Sequence, residues 1–147
     1  MLHDDLYAFF EKDLLKLKEE IALYEDEKLI WAVKPGIGNP AGNLCLHLNG
    51  NLQHFIGAIL GQTGYIRQRE LEFSQKNIPR QELLNSIDQT IQVVRDTLSK
   101  LSAADFEKAY PLEVLGKTWK TGQFLLHLLS HLSYHLGQVN YHRRMIV

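Results

Sequence analysis

Apolar residues return every three to four positions along most of this chain, and the rhythm divides it into four long helices. Between residues 2 and 25, Leu2, Leu6, Phe9, Phe10, Leu14, Leu17, Ile21 and Tyr24 fall at helical spacing with Glu and Lys between them. The run Lys34-Pro35-Gly36-Ile37-Gly38-Asn39-Pro40 breaks the pattern and predicts a loop. Asn39 is placed to cap a second helix with Pro40 in its first turn. That helix runs from 40 to 60 through Leu44, Leu46, Leu48, Leu52, Phe55, Ile56 and Ile59. A third spans 80–101, with Leu83, Leu84, Ile87, Ile91, Val94, Leu98 and Leu101 as its stripe. A fourth is capped by Thr121 and runs to Met145, carrying Phe124, Leu125, Leu128, Leu129, Leu132, Leu136 and Val139.

The connections are uneven. Residues 61–79, punctuated by Gly61, Gly64 and Pro79, form a long linker for a compact helical protein, and suit a crossover that leaves helices two and three parallel. Residues 102–120 are mixed, with a helical turn at Ser102–Asp105 and an irregular or extended stretch from Lys108 to Trp119. Four long helices without convincing strands predict an all-α four-helix bundle, one domain over residues 1–147, with no internal repeat.

Composition narrows the function classes. A net charge of −1 lacks the basic excess that nucleic acid or an anionic membrane would require. The single cysteine excludes an internal disulfide and suits a reducing compartment. The opening Met1-Leu2-His3-Asp4-Asp5 has no basic lead into an apolar stretch, and no apolar run approaches the length of a membrane span. A soluble cytoplasmic domain is expected. The charge distribution says more than the total. Segments 28–69 and 114–147 contain no Asp or Glu, yet carry six of the seven histidines. A metal site built from those segments alone would have imidazole ligands, keep the ion's full charge and lack a local carboxylate base.

His127, His131, His135 and His142 fall within an arc of about 80° on the fourth helix. His131 and His135 have the i,i+4 spacing that lets one helix grip one ion, but Leu132 stands where a metalloprotease helix carries its glutamate base. His127 repeats the spacing with His131, while His142 lies about 10 Å along the axis from His135, and both read more simply as packed or hydrogen-bonded residues. A site with an open position needs a third protein ligand. His47 and His54, about 10 Å apart on one face of the second helix, are the candidates, and periodicity does not choose between them.

Other residues carry weaker signals. Cys45 projects about 160° from His47 and reads as a buried, inert thiol. Gly50, Gly57 and Gly61 suggest close helix approach or room for a ligand, fraying being the plainer reading of Gly61; Gly137 has the same alternatives. Gln138 could orient a ligand or be a surface amide. Arg67, Arg69, Arg143 and Arg144 could bind an anionic group or form a solvated rim. Ser130 and Ser133 have no acid at hand to complete a nucleophile triad.

The string Leu46-His47-Leu48-Asn49-Gly50-Asn51-Leu52, followed by His131-Leu132-Ser133-Tyr134-His135-Leu136-Gly137-Gln138, resembles the DinB superfamily. There a histidine on the second helix joins an H-x-x-x-H-x-G-Q motif on the fourth. The resemblance spans nearly the whole chain. It implies His47, His131 and His135 as ligands of a divalent ion, zinc or nickel, with His54 and His127 in supporting roles. It also implies up-down-down-up connectivity and a homodimer. Superfamily members with known activities resemble transferases and isomerases that use bacillithiol, mycothiol or glutathione. A metal-dependent transferase acting with a low-molecular-weight thiol is therefore the leading expectation, and the ion would acidify a thiol brought by the cosubstrate. The alternatives are a metal-dependent hydrolase and a non-catalytic, metal-stabilised dimeric bundle of stress response.

Overall fold

A computed structural model describes residues 2–146, with side chains from Asp4 onward, so the expected place of Leu2 in the first stripe lies outside the described side chains. Six α-helices follow one another: α1 (Leu2–Ala22), α2 (Ala41–Leu52), α3 (Arg69–Ser74), α4 (Arg80–Leu98), α5 (Ala103–Glu107) and α6 (Thr121–Met145). Four of them are the predicted long helices. Among the described residues there are no strands, only isolated bridges Ala109–Lys120 and Val114–Lys117 in the irregular stretch before α6.

Helix ends show where local chemistry differs from the sequence expectations. Arg80 donates to the carbonyls of Ala22 (3.0 Å) and Tyr24 (2.7 Å), so α1 stops at Ala22 while Tyr24 stays buried beyond it. Pro40, not Asn39, holds the cap position of α2. Helix α2 does not run on as regular α-helix to 60. From Gln53 to Ala58 the ladder widens to i→i+5, with Ile59 N–H reaching the His54 carbonyl at 3.1 Å. Thr121 lies inside α6 rather than capping it, and its hydroxyl donates to the Lys108 carbonyl at 3.0 Å. The turn expected at 102–105 is α5, closed by a Ser102/Asp105 capping box.

Helix α1 packs against α4 and α6, and α2 packs against the same two helices. Lys18 pairs with Asp88 and Glu11 with Arg95, so residue numbers on α1 and α4 run in opposite senses. Ser133 donates to Asp13 and Asn140 to Glu20, so α1 and α6 run in the same sense. Thr90 donates to Asn49 at 2.8 Å, tying α2 to α4 through the core. The core is the predicted one in outline: Phe10, Leu14, Leu17, Leu48, Leu52, Ile87 and Phe124 are fully enclosed. Phe9 is the exception on α1. It points outward, with Lys12 over its ring.

The linker of 61–79 is not structureless. Its helix α3 lies on α2 and is fastened by Asn43, a fully buried amide on α2 that donates to the carbonyls of Glu72 and Gln75, both at 2.9 Å. Lys76 closes the clasp on the Asn43 oxygen. The backbone of α3 is thereby pinned one helical turn from His47.

Candidate metal centre

His47 on α2 and His131 and His135 on α6 meet between the two helices. They form the group whose ligand atoms all lie within 4.8 Å of one another, the arrangement that could hold a metal ion. The Nε2 atoms of His47 and His131 stand 3.2 Å apart. Two imidazole nitrogens at that distance need a proton or a cation between them, and a tetrahedral ion about 2 Å from each nitrogen imposes about the same spacing. The ring of His135 stands edge-on to both others, at centroid distances of 5.4 Å and 4.6 Å.

The outward nitrogens of two of the rings are fixed. His47 Nδ1–H donates to Glu72 at 3.0 Å, which turns Nε2 toward His131. His135 Nδ1 donates to the Gln138 side-chain oxygen at 2.6 Å. Such outer contacts set ring orientation and tautomer in metal-binding histidines. His131 has no such partner: its Nδ1 is buried without a hydrogen bond among the described residues. Burial, then the neighbouring His135 and His47, hold the His131 imidazole down at about 4, and burial also lowers His135. Both rings are thereby biased toward the neutral form, each keeping a lone pair to offer, so the donor set fits a divalent ion of the zinc or nickel type.

Glu72 is the residue the sequence reasoning missed. The two acid-free segments do supply the imidazoles, but α3 brings a carboxylate to within hydrogen-bonding distance of one of them. Arg67 grips Glu72 through Nε at 2.9 Å and Nη2 at 3.0 Å. Burial alone would raise the Glu72 carboxyl, but the hydrogen bonds from His47 and Arg67, with their charges, outweigh it and hold the group below the usual range. Arg67 is thus no solvated rim. Its side chain is 12% exposed and neutralises a buried acid. Gly50 explains the close approach of α3: a Cβ there would lie 2.0 Å from a Glu72 carboxylate oxygen. The expectation of close contact at Gly50 holds, as it does at Gly57 against Val93 and at Gly61, in the turn after the helix, against Thr97. Gly137 has open space instead.

The remaining candidates fall outside the cluster. His54 is not among the three, and burial, then Arg67, lower its imidazole. His127 packs against Trp119 and Phe124. His142 is buried between the Tyr24 hydroxyl and the Ala32 carbonyl, as a structural tether. Cys45 is fully buried and its thiol is pushed up to about 12, chiefly by burial. Arg143 pairs with the buried Glu20 rather than joining a rim. Ser133 donates to the Asp13 carboxylate on α1, an acid the sequence reading did not place beside it.

A cleft of about 700 Å³ opens beside the cluster, between the loop of residues 34–39 and the C-terminal half of α6. His135 and Gln138 form part of its wall. Nothing in the periodicity announced it, although the breaker run that builds one side was plain.

Fold and cluster together define a class: an all-helical protein whose second and last long helices present three histidines to a common point. Residues 8–147 match the family described as Protein of unknown function (DUF1572), and the chain belongs to that family. No curated protein gives a significant match.

Proposed function

We propose that the chain is a DinB-like four-helix bundle of up-down-down-up connectivity that binds one zinc or nickel ion through His47, His131 and His135, and that it transfers an electrophilic group to a low-molecular-weight thiol. The connectivity is supported by the opposed registers of α1 with α4 and the matched registers of α1 with α6. The observation that carries the metal reading is the convergence of three imidazoles from two helices within 4.8 Å, two of them held from behind by Glu72 and Gln138.

A bound dication would supply the positive charge that acidifies a thiol from its usual value of about 8.5. The rest falls to this chain's own side chains. His47 is kept in one tautomer by Glu72, and Glu72 is itself saturated by Arg67, so that carboxylate is not free to act as a base. That favours a nucleophile brought in by the cosubstrate. The cleft beside His135 gives the second substrate a place to lie. The thiol proton would pass to solvent, and the thiolate sulfur would form its bond to the electrophilic carbon while the leaving group departs with its electron pair. A reducing compartment such as the cytoplasm suits a thiol cosubstrate, and we take the working unit to be a homodimer, which light scattering checks.

Elemental analysis of the purified protein beside His131→Ala and His47→Ala is the direct test. About one equivalent of zinc or nickel in the wild type, lost in both variants, is the expected result. Thiol consumption with electrophilic substrates should then disappear in the same variants. Turnover without added thiol would indicate a hydrolase instead. A metal that raises the melting temperature while no substrate turns over would leave the stabilised bundle. Absence of metal after reconstitution would overturn the centre itself.

A further inference from the structure

We infer that the cleft between residues 34–39 and α6 is a binding site for a small amphipathic carboxylate, its flat apolar body lying on Tyr134, Tyr141 and Ile37 and its carboxylate at Lys34. The volume, about 700 Å³, lies in the range of small-molecule sites. Tyr134, Tyr141 and Met145 follow one another at i, i+7 and i+11, so they share one face of α6, and all three line the cleft. They are 67%, 60% and 66% exposed, large apolar groups that the core does not use. Aromatic rings set beside a few placed polar groups are the usual make-up of a small-molecule site.

Among the described lining residues, Lys34 is the one Lys, Arg, Asp or Glu. Among the described residues Lys34 Nζ donates to the Met145 carbonyl, at 3.3 Å, and pairs with no carboxylate. Arg144 lies over the Tyr141 ring at the rim. Both lining segments belong to the stretches 28–69 and 114–147, which contain no Asp or Glu. The opposing feature is the C-terminal end of α6, whose carbonyls carry partial negative charge. Lys34 already answers one of these, and Arg144 sits in the same last turn, Arg143 being paired with Glu20. His142 adds no charge, since burial lowers its imidazole and both ring nitrogens are engaged. A single lysine supplies one compact positive charge, which matches the single charge of a carboxylate. At the other end, the Gln138 oxygen is taken by His135, which leaves its amide N–H groups to donate into the cleft. A ligand seated this way would have its far end beside His135. Only that last statement rests on the metal-centre reading, because the cleft stands without the ion.

The test uses 2-naphthoate as probe and its neutral twin 2-naphthamide, with backbone amide NMR of the full chain treated with EDTA. Saturable shifts are expected at residues 34–39 and 134–145. Naphthoate should bind about fivefold more tightly than the amide, the scale of one ion pair at a hydrated surface. Lys34→Ala should erase that preference, and Tyr141→Ala should weaken both ligands. Lys34 is exposed and lies in a loop, so the variant should fold, which unchanged shifts elsewhere confirm. Absence of saturable shifts at those positions, or a preference that survives Lys34→Ala, would overturn the proposal. A separate zinc titration separates the two readings. Zinc bound but naphthoate not bound sinks the cleft alone; naphthoate bound but zinc not bound sinks the metal centre alone.

Discussion

Replacing Glu72 by Gln tests whether a residue outside the proposed ligand set governs the candidate metal centre. The carboxylate accepts three hydrogen bonds, one from His47 at 3.0 Å and two from Arg67 at 2.9 and 3.0 Å, and its side chain is 6% exposed. Glutamine keeps the size but offers one acceptor oxygen and an amide that only donates. One of the three donors then faces another donor, and the guanidinium loses its counter-charge. Loss of a carboxylate behind a ligating histidine costs about 10–100-fold in metal affinity, or about 1.4–2.7 kcal/mol. Leaving the partly buried Arg67 unpaired costs the fold about 1–3 kcal/mol more. The assay is zinc competition against a chromophoric chelator, with circular dichroism and thermal melts of the metal-free proteins to read the folding cost separately. Gly50→Ala should reach the same end by another route, because its new Cβ would displace the Glu72 carboxylate. The double variant should then lose no more zinc affinity than the worse single one, the mark of two changes acting through one group. Zinc affinity within about twofold of wild type in a folded Glu72→Gln protein would refute the role assigned to Glu72.

Three further outcomes follow from the same geometry. In metal-free protein, His131, His135 and His142 titrate below their ordinary value of 6.5, His131 at about 4. The unfolded chain therefore binds more protons in that window, and stability should be level above pH 6.5 and fall as pH drops toward 4. A melting temperature that rises on acidification through this range would contradict the burial argument. His54→Ala and His127→Ala should each keep the metal stoichiometry of wild type, since neither ring joins the cluster; metal lost from either on elemental analysis would redraw the ligand set. Phe10→Ala, at a fully enclosed core position of α1, should cost about 3–5 kcal/mol in denaturant unfolding with no change in zinc affinity once folded.

What the sequence revealed, and what it hid, follows from the range of the interactions involved. The four long helices were legible because each buries a stripe that repeats along the chain, and such periodicity survives small errors at the ends. The ends themselves depend on distant groups. Helix α1 stops where Arg80, far along the chain, caps Ala22 and Tyr24. Phe9 sits at nearly the right spacing yet faces solvent, because the stripe on α1 is narrower than the spacing rule allows. The pair His131 and His135 could be read locally, since i,i+4 geometry needs nothing beyond one helix. Choosing His47 over His54 needed the family resemblance, because two positions on one helix face differ only in their height along the axis.

Glu72 shows the limit most clearly. It lies in a six-residue helix too short for periodicity, inside a linker that the charge census treated as separate from the histidines. Its approach to His47 depends on three conditions that no single window displays: Asn43 pinning the α3 backbone, Arg67 neutralising the acid, and Gly50 leaving the space. Gly50 and Arg67 looked ambiguous alone, and Asn43 carried no signal of its own. A buried glutamate without Arg67 would be driven toward protonation, and a side chain at position 50 would push its carboxylate from its present place against His47. The glycine, the arginine and the asparagine are therefore explained by one requirement, to hold a carboxylate behind His47. That makes the linker between α2 and α4 part of the candidate centre rather than a mere crossover.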